Sequence, residues 1–201
     1  MIASRRVREV ARRLIPPLIY DGVRVVFGRM SDTVATTNSP VSRDDSALTV
    51  TKVGRERGPD YYDNMLVEGS KFLKHYTQVH YYPQWCVIAD RLLRSDCRSV
   101  IDIGCGTGQM ASLLRDRGFH RYVGIDFSGA RIAQARKVCP EFTFVEDDVF
   151  ESRHLQDGDY DTVVCTEFLE HIERDLDVIG RIRAGARFIG SVPNFPDPAH
   201  V

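Results

Sequence analysis

Two groups of residues in this chain have the types and spacing to do chemistry. The first begins in "VIDIGCGTGQ", Val100 to Gln109, where Asp102 lies inside an apolar run and Gly104, Gly106 and Gly108 alternate behind it. Alternate glycines let backbone approach a ligand closely, whether a phosphate, a dinucleotide or a nucleoside. The dinucleotide fingerprint wants its third glycine at 109, where this chain has Gln109, and no Gly-Lys-Ser/Thr follows to make a P-loop. About twenty residues on, Asp126 ends "VGIDFS", a position that suits a carboxylate accepting both hydroxyls of a ribose. Phe127 beside it can pack on a purine face. In "FVEDDVF", Asp148 can accept from an adenine amino group while the Val149 N–H serves a ring nitrogen. Basic residues for a phosphate are missing from the set. The ligand reads as nucleoside-like and cationic, or at least not anionic.

The second group is "CTEFLEHI", which brings Glu167, Glu170 and His171 together. At i, i+3 and i+4 these three share one face if the segment is helical, which permits chelation of a divalent cation. An imidazole beside a carboxylate is equally a general base, or a pair that only steadies its loop.

These residues need elements to hold them. Strand-like runs occur at 99–103, 122–126, 142–146, 161–166 and 187–192, with helix-compatible segments at 109–117, 129–138, 152–156 and 172–183. Repeated strand–helix units predict an open, mainly parallel α/β sheet, whose ligands bind outside the carboxyl ends of the strands. Both groups fall there. The preceding residues 59–98 are rich in tyrosine and read as a helical lid, in which Pro83 opens a helix with Trp85, Ile88, Ala89, Leu92 and Leu93 as its core stripe. Residues 31–58 read as a linker.

Residues 1–30 carry seven arginines against Glu9 and Asp21, a net +5 that leaves −6 for the rest of a chain of net charge −1. Val7, Val10, Ala11, Leu14 and Ile15 fall at helical spacing, Pro16 and Pro17 break that helix, and Ile19, Val23, Val26, Phe27 and Met30 suggest a second. This basic amphipathic arm is either a packing element or an interfacial anchor on anionic lipid. The acidic body argues against a nucleic-acid partner. Five dispersed cysteines without a CxxC pair predict a reduced, cytoplasmic protein without structural zinc, peripheral to the inner face of the membrane if the arm anchors. The early apolar stretch "LIPPLIY" is too short to span a bilayer.

In order and spacing, "VIDIGCGTG", "VGIDFS", "FVEDDVF" and "YDTVVCTEFLEHI" resemble the four successive signatures of class I S-adenosylmethionine-dependent methyltransferases, of the bacterial type 11/12 kind, from Ser99 to about Asn194. The resemblance implies a Rossmann-like, doubly wound sheet over 99–201 and S-adenosylmethionine as cofactor. It implies that Asp102 and the loop of Gly104, Cys105, Gly106 and Gly108 serve the methionyl end. Asp126 and Phe127 would then serve the ribose and adenine, Asp148 and Val149 the adenine, and Thr166, at the end of strand four, would also bind the cofactor. Within the family the Glu-His pair is structural in some members and a general base in others. In ubiquinone-pathway O-methyltransferases and small-RNA 3′-end 2′-O-methyltransferases the Glu-x-x-Glu-His pattern resembles a divalent-metal ligand set. The catalytic expectation falls on His171 and Glu170, with no metal expected. Were Mg²⁺ used, Glu167, Glu170 and His171 would be its set, with His200 a distant further candidate.

The expected reaction is O-methylation of a small-molecule, sugar or lipid-linked acceptor. The arm "RRLIPPLIYDGVR" is similar to those of bacterial methyltransferases associated with glycan or lipid-linked sugar biosynthesis. The alternatives are a non-catalytic S-adenosylmethionine-binding regulatory subunit, a metal-dependent 2′-O- or catechol-type O-methyltransferase, and, against Gln109, an NAD-dependent sugar enzyme. The departure from the family is that a complete fold adds a helix and an antiparallel strand pair after strand five, whereas this chain reaches Val201 first. Those C-terminal strands are therefore expected to be missing.

Overall fold

The apolar runs rich in β-branched residues become the spine of one sheet in the computed structural model, which describes residues 18–20, 23–29, 54–193 and 200–201. The parallel strands are β3 (Val100–Ile103), β4 (Tyr122–Asp126), β5 (Thr143–Glu146), β6 (Thr162–Thr166) and β7 (Arg187–Pro193). Between them run α3 (Gln109–Asp116), α4 (Gly129–Val138), the single turn α5 (His154–Asp157) and α6 (Asp175–Arg181). The lid contains α1 (Pro59–Asp63), two 3₁₀ turns at Lys71–Leu73 and Tyr76–Gln78, and α2 (Tyr82–Arg94). With β1 (Leu18–Tyr20) and β2 (Val23–Arg29) the sheet order is β1-β2-β7-β6-β3-β4-β5.

Alternation along the strands sends side chains to two cores. Val100, Val164 and Ile189 pack with Ile88, Leu92, Leu114 and Ile132 on one face. Ile101, Ile103, Ile125, Val163 and Phe188 pack with Leu155 and Val178 on the other. Each fully buried aliphatic side chain contributes about 1.5–3 kcal/mol, so the sheet holds its loops on two dry faces. In α2 the stripe is Trp85, Ile88, Ala89 and Leu92; Leu93 is exposed, because one residue further on turns the side chain about 100° away from the core. At β4, Gly124 is dictated by packing: a Cβ there would lie 2.7 Å from Cys105 Sγ and 2.9 Å from Phe144.

The second helix expected after Pro17 is a correction. Residues 18–20 and 23–29 are strands, with Tyr20 opposite Val23, and β2 runs antiparallel to β7 from Val23↔Pro193 to Arg29↔Arg187. The sequence holds the reason: Asp-Gly between two β-branched, aromatic-rich runs is a hairpin signal, and the open edge of β7 offers a full ladder of hydrogen bonds. An antiparallel pair therefore does flank strand five, drawn from the N-terminal side of the chain. The helix expected over 5–15 and most of the linker lie outside the described residues. Among the described residues no helix is long and apolar enough to cross a membrane.

Candidate active site

The carboxyl ends of β3, β4, β5 and β6 open into one cavity of about 890 Å³, roofed by the lid. Asp102, Gly104, Cys105, Gly106, Asp126, Phe127, Asp148, Val149 and Thr166 line it together with Glu167, Glu170 and His171. Gly108 does not; it sits in the left-handed region at φ +78° and caps α3. Burial pushes the Cys105 thiol well up, so it is an inert part of the wall.

Asp102 is 2% exposed, and its Oδ2 accepts from the Tyr122 hydroxyl at 2.5 Å. Burial lifts its carboxyl to about 7, against the Tyr122 hydrogen bond and with the Asp126 charge adding. Asp126 organises the turn around it: Oδ2 accepts from the Gly106 N–H at 2.9 Å and Oδ1 from the Ser128 N–H at 3.0 Å. Burial raises its pKa too, opposed first by Ser128 N–H, then by the Arg131 charge and Gly106 N–H. Each carboxylate oxygen keeps a second lone pair, enough for one diol. At β5, Asp148 Oδ1 accepts from the Phe150 N–H at 2.9 Å, which aims the acid at the cavity mouth.

The lid is fastened to the glycine loop by Thr107 and Gln109. Thr107 Oγ1 donates to the Phe72 carbonyl at 2.6 Å, and Gln109 Nε2 donates to the carbonyls of Lys71 at 3.0 Å and Lys74 at 2.6 Å. The residue that excludes a dinucleotide fingerprint is a lid latch. Of the many aromatics, Tyr62 spans the two halves of the site, tilted 5.4 Å from Phe127 and edge-on 6.3 Å from His171. Burial pushes its hydroxyl to about 12, opposed by the Arg131 charge. Tyr76 instead ties down the outside of the lid through Asp116 at 2.7 Å.

The segment after β6 corrects the helical-face expectation. Glu167 has φ +51°, the one non-glycine residue in that region among the described residues, and only a 3₁₀ turn, Leu169–His171, follows. The strained residue swings Glu167 away from the other two. Its Oε1 accepts from Ser191 Oγ at 2.8 Å, and that oxygen accepts from Gln84 Nε2 at 2.5 Å. Glu170 is 1% exposed, both of its carboxylate oxygens are buried without a hydrogen bond, and His171 Nε2 stands 3.8 Å from Oε1. Burial, with the Glu167 charge adding, holds the Glu170 carboxyl well above the usual range. His200 completes the group: its ring lies edge-on 5.4 Å from that of His171, and the next N–H, of Val201, donates to the Glu170 carbonyl at 2.9 Å. Ligand atoms of Glu170, His171 and His200 all lie within 4.8 Å of one another.

The cavity thus has the buried Asp126 on its wall together with the acid–imidazole cluster of Glu170 and His171. A family model described as "Methyltransferase domain" matches residues 100–185, the stretch that builds this cavity. Those residues are similar to a methyltransferase domain, as the four sequence signatures imply. A trans-aconitate 2-methyltransferase of Enterobacter sp. (strain 638) is 30% identical over 115 residues, 55% of this chain and 46% of that protein. A ubiquinone biosynthesis O-methyltransferase of Sodalis glossinidius is 31% identical over 96 residues, 46% of this chain and 37% of the relative. The chain thus spans under half the length of these relatives. A solved S-adenosylmethionine-dependent methyltransferase from Mesorhizobium loti is 18% identical with a TM-score of 0.46, over 55% of this chain and 50% of that one. Within the matched residues the glycine loop, Asp126 and Asp148 stand where the sequence signatures imply a cofactor.

Proposed function

We propose that this chain transfers the methyl group of S-adenosylmethionine to an oxygen of a small-molecule, sugar or lipid-linked acceptor. The observation that carries the reading is the continuity of one cavity from Asp126 and Asp148 to His171. The name of the ubiquinone-pathway relative supports oxygen as the acceptor atom.

The cofactor supplies an electrophilic methyl group on a sulfonium. The residues of the chain supply the rest. Asp126 would accept from the ribose, Asp148 and the Val149 N–H would hold the adenine, and Asp102 would serve the methionyl ammonium. Tyr62, Phe127 and Phe168 exclude water, so alignment does much of the catalysis. His171, which lines the same cavity, would take the proton of the acceptor hydroxyl. The buried Glu170 carboxyl, 3.8 Å behind its Nε2, positions the imidazole.

A second reading has its own observation, the convergence of Glu170, His171 and His200: these residues would hold Mg²⁺ or Mn²⁺, which would supply a Lewis acid for the acceptor oxygen. Turnover on a panel of hydroxylated acceptors, with and without chelator, decides. The base reading expects chelator-insensitive turnover that His171→Ala lowers roughly 10²–10⁴-fold with S-adenosylhomocysteine affinity unchanged. Chelator-sensitive turnover restored by Mg²⁺ selects the metal reading. A folded protein that binds S-adenosylhomocysteine and turns over no acceptor would be a regulatory subunit.

A further inference from the structure

Two cations of the cavity wall have no part in that reaction. The Arg57 guanidinium lies over the Tyr61 ring, 5.1 Å from its centroid. The Arg131 guanidinium lies 4.8 Å from the centroids of both Tyr62 and Phe72. Tyr61 and Tyr62 are themselves an edge-to-face pair at 5.2 Å. Both arginines line the cavity, and the Nε of each is buried without a hydrogen-bond partner. Among the described residues neither guanidinium has a carboxylate within ion-pair distance.

Three acids of this region are engaged elsewhere. Glu56 Oε2 accepts from the Glu173 N–H at 2.9 Å, Asp63 Oδ1 accepts from Ser128 Oγ, and Asp126 is held by Gly106 and Ser128. Stacking on a ring covers the face of a guanidinium and leaves its edge, a planar fork of N–H donors that matches a carboxylate or phosphate. A half-buried charge without a counter-ion is costly, so such an edge is built for an anion. The cofactor brings a single carboxylate, and there are two arginines. They also divide by position. Arg131 opens α4 beside Asp126, in the cofactor half, whereas the Glu56–Glu173 hydrogen bond pins Arg57 to the exit of the turn that carries His171.

We propose that Arg57 receives an anionic group of the acceptor, a carboxylate or a phosphate, while Arg131 closes over the cofactor. This rests on the methyl-transfer reading and narrows its substrate to a hydroxylated anion. The edge of Arg57 anchors that anion and leaves the hydroxyl free to meet His171.

The test titrates glutarate and inorganic phosphate into the protein loaded with S-adenosylhomocysteine, with neutral glutaramide as control. At least one anion binds, more weakly as salt rises, and glutaramide does not. Arg57→Gln lowers that affinity about tenfold or more, the loss of a charge-assisted hydrogen-bonded pair. Arg57→Lys falls between, and Arg131→Gln changes anion affinity less than twofold. Melting curves and circular dichroism show that each variant is folded. The proposal is overturned if neither anion binds or if Arg57→Gln leaves anion affinity unchanged. It is also overturned if Arg57→Gln weakens S-adenosylhomocysteine while sparing methylthioadenosine, which would assign Arg57 to the cofactor's own carboxylate. Wild-type protein that binds no S-adenosylhomocysteine would remove the methyl-transfer reading itself.

Discussion

Asp102 is the residue whose chemistry departs furthest from its type. An acid at the end of a buried strand, with one tyrosine hydroxyl for company, titrates near 7 in the folded chain against 3.8 outside it. An acid whose pKa is raised by folding contributes stability that is fully present below its unfolded pKa and is lost as pH rises through its folded one. Thermal unfolding of the cofactor-free protein should therefore show stability falling between about pH 4 and 7. Asp102→Asn should remove about 4 kcal/mol of that fall, at roughly 1.4 kcal/mol per pH unit. An unchanged pH profile in the variant would show that the carboxyl is ionised throughout. Asp102 and Asp126 were legible in the sequence because a strand end followed by glycines admits few roles. The turn at Glu167 was not legible. Spacing of i, i+3, i+4 presupposes a helix, and nothing in a glutamate announces a left-handed backbone. His200 was within reach by topology alone: β6 and β7 are parallel neighbours, so the chain leaving β7 emerges beside the chain leaving β6.

At the scale of elements, the lid and the glycine loop form a unit joined by Thr107 and Gln109. Two amide hydrogen bonds at about 0.5–1.5 kcal/mol each predict that Gln109→Ala weakens S-adenosylhomocysteine binding by about 1–3 kcal/mol. The same variant should speed proteolytic cleavage within residues 64–80 in the cofactor-free protein, with the sheet intact by circular dichroism. Titration calorimetry and limited proteolysis check both; unchanged cleavage would mean that the lid is held by its aromatic packing alone. The five parallel strands lie within a residue of their sequence expectation because each is a short apolar run bounded by turns. The β1–β2 pair was missed for the opposite reason. Its residues fit a helical period as well as a strand, and the partner that decides between them is β7, at the far end of the sequence.

For the molecule as a whole, the basic N-terminal segment and the acidic body set up a charge asymmetry that is the basis for proposing contact with an anionic membrane. Deleting residues 1–30 would also strip β2 from β7, so it cannot isolate that effect. Replacing Arg5, Arg6, Arg8, Arg12 and Arg13 with serine leaves both strands in place. Co-sedimentation with anionic vesicles should then fall, as it should when salt is added to the wild type, at about 1 kcal/mol per arginine near the surface. Equal pelleting of wild type and variant would make the segment a packing element only.

The pairing of β2 with β7 also has a consequence in time. Val23 meets Pro193 and Arg29 meets Arg187, so the ribosome must add about 160 residues between one partner and the other, roughly 8–30 seconds of synthesis. Through that interval β2 is a finished strand with no neighbour on one side. The parallel strands can assemble as they emerge, but the edge at β7 closes last. The nascent chain is thus vulnerable to wrong partners at β2, and a chaperone that shields that strand would act until β7 is made.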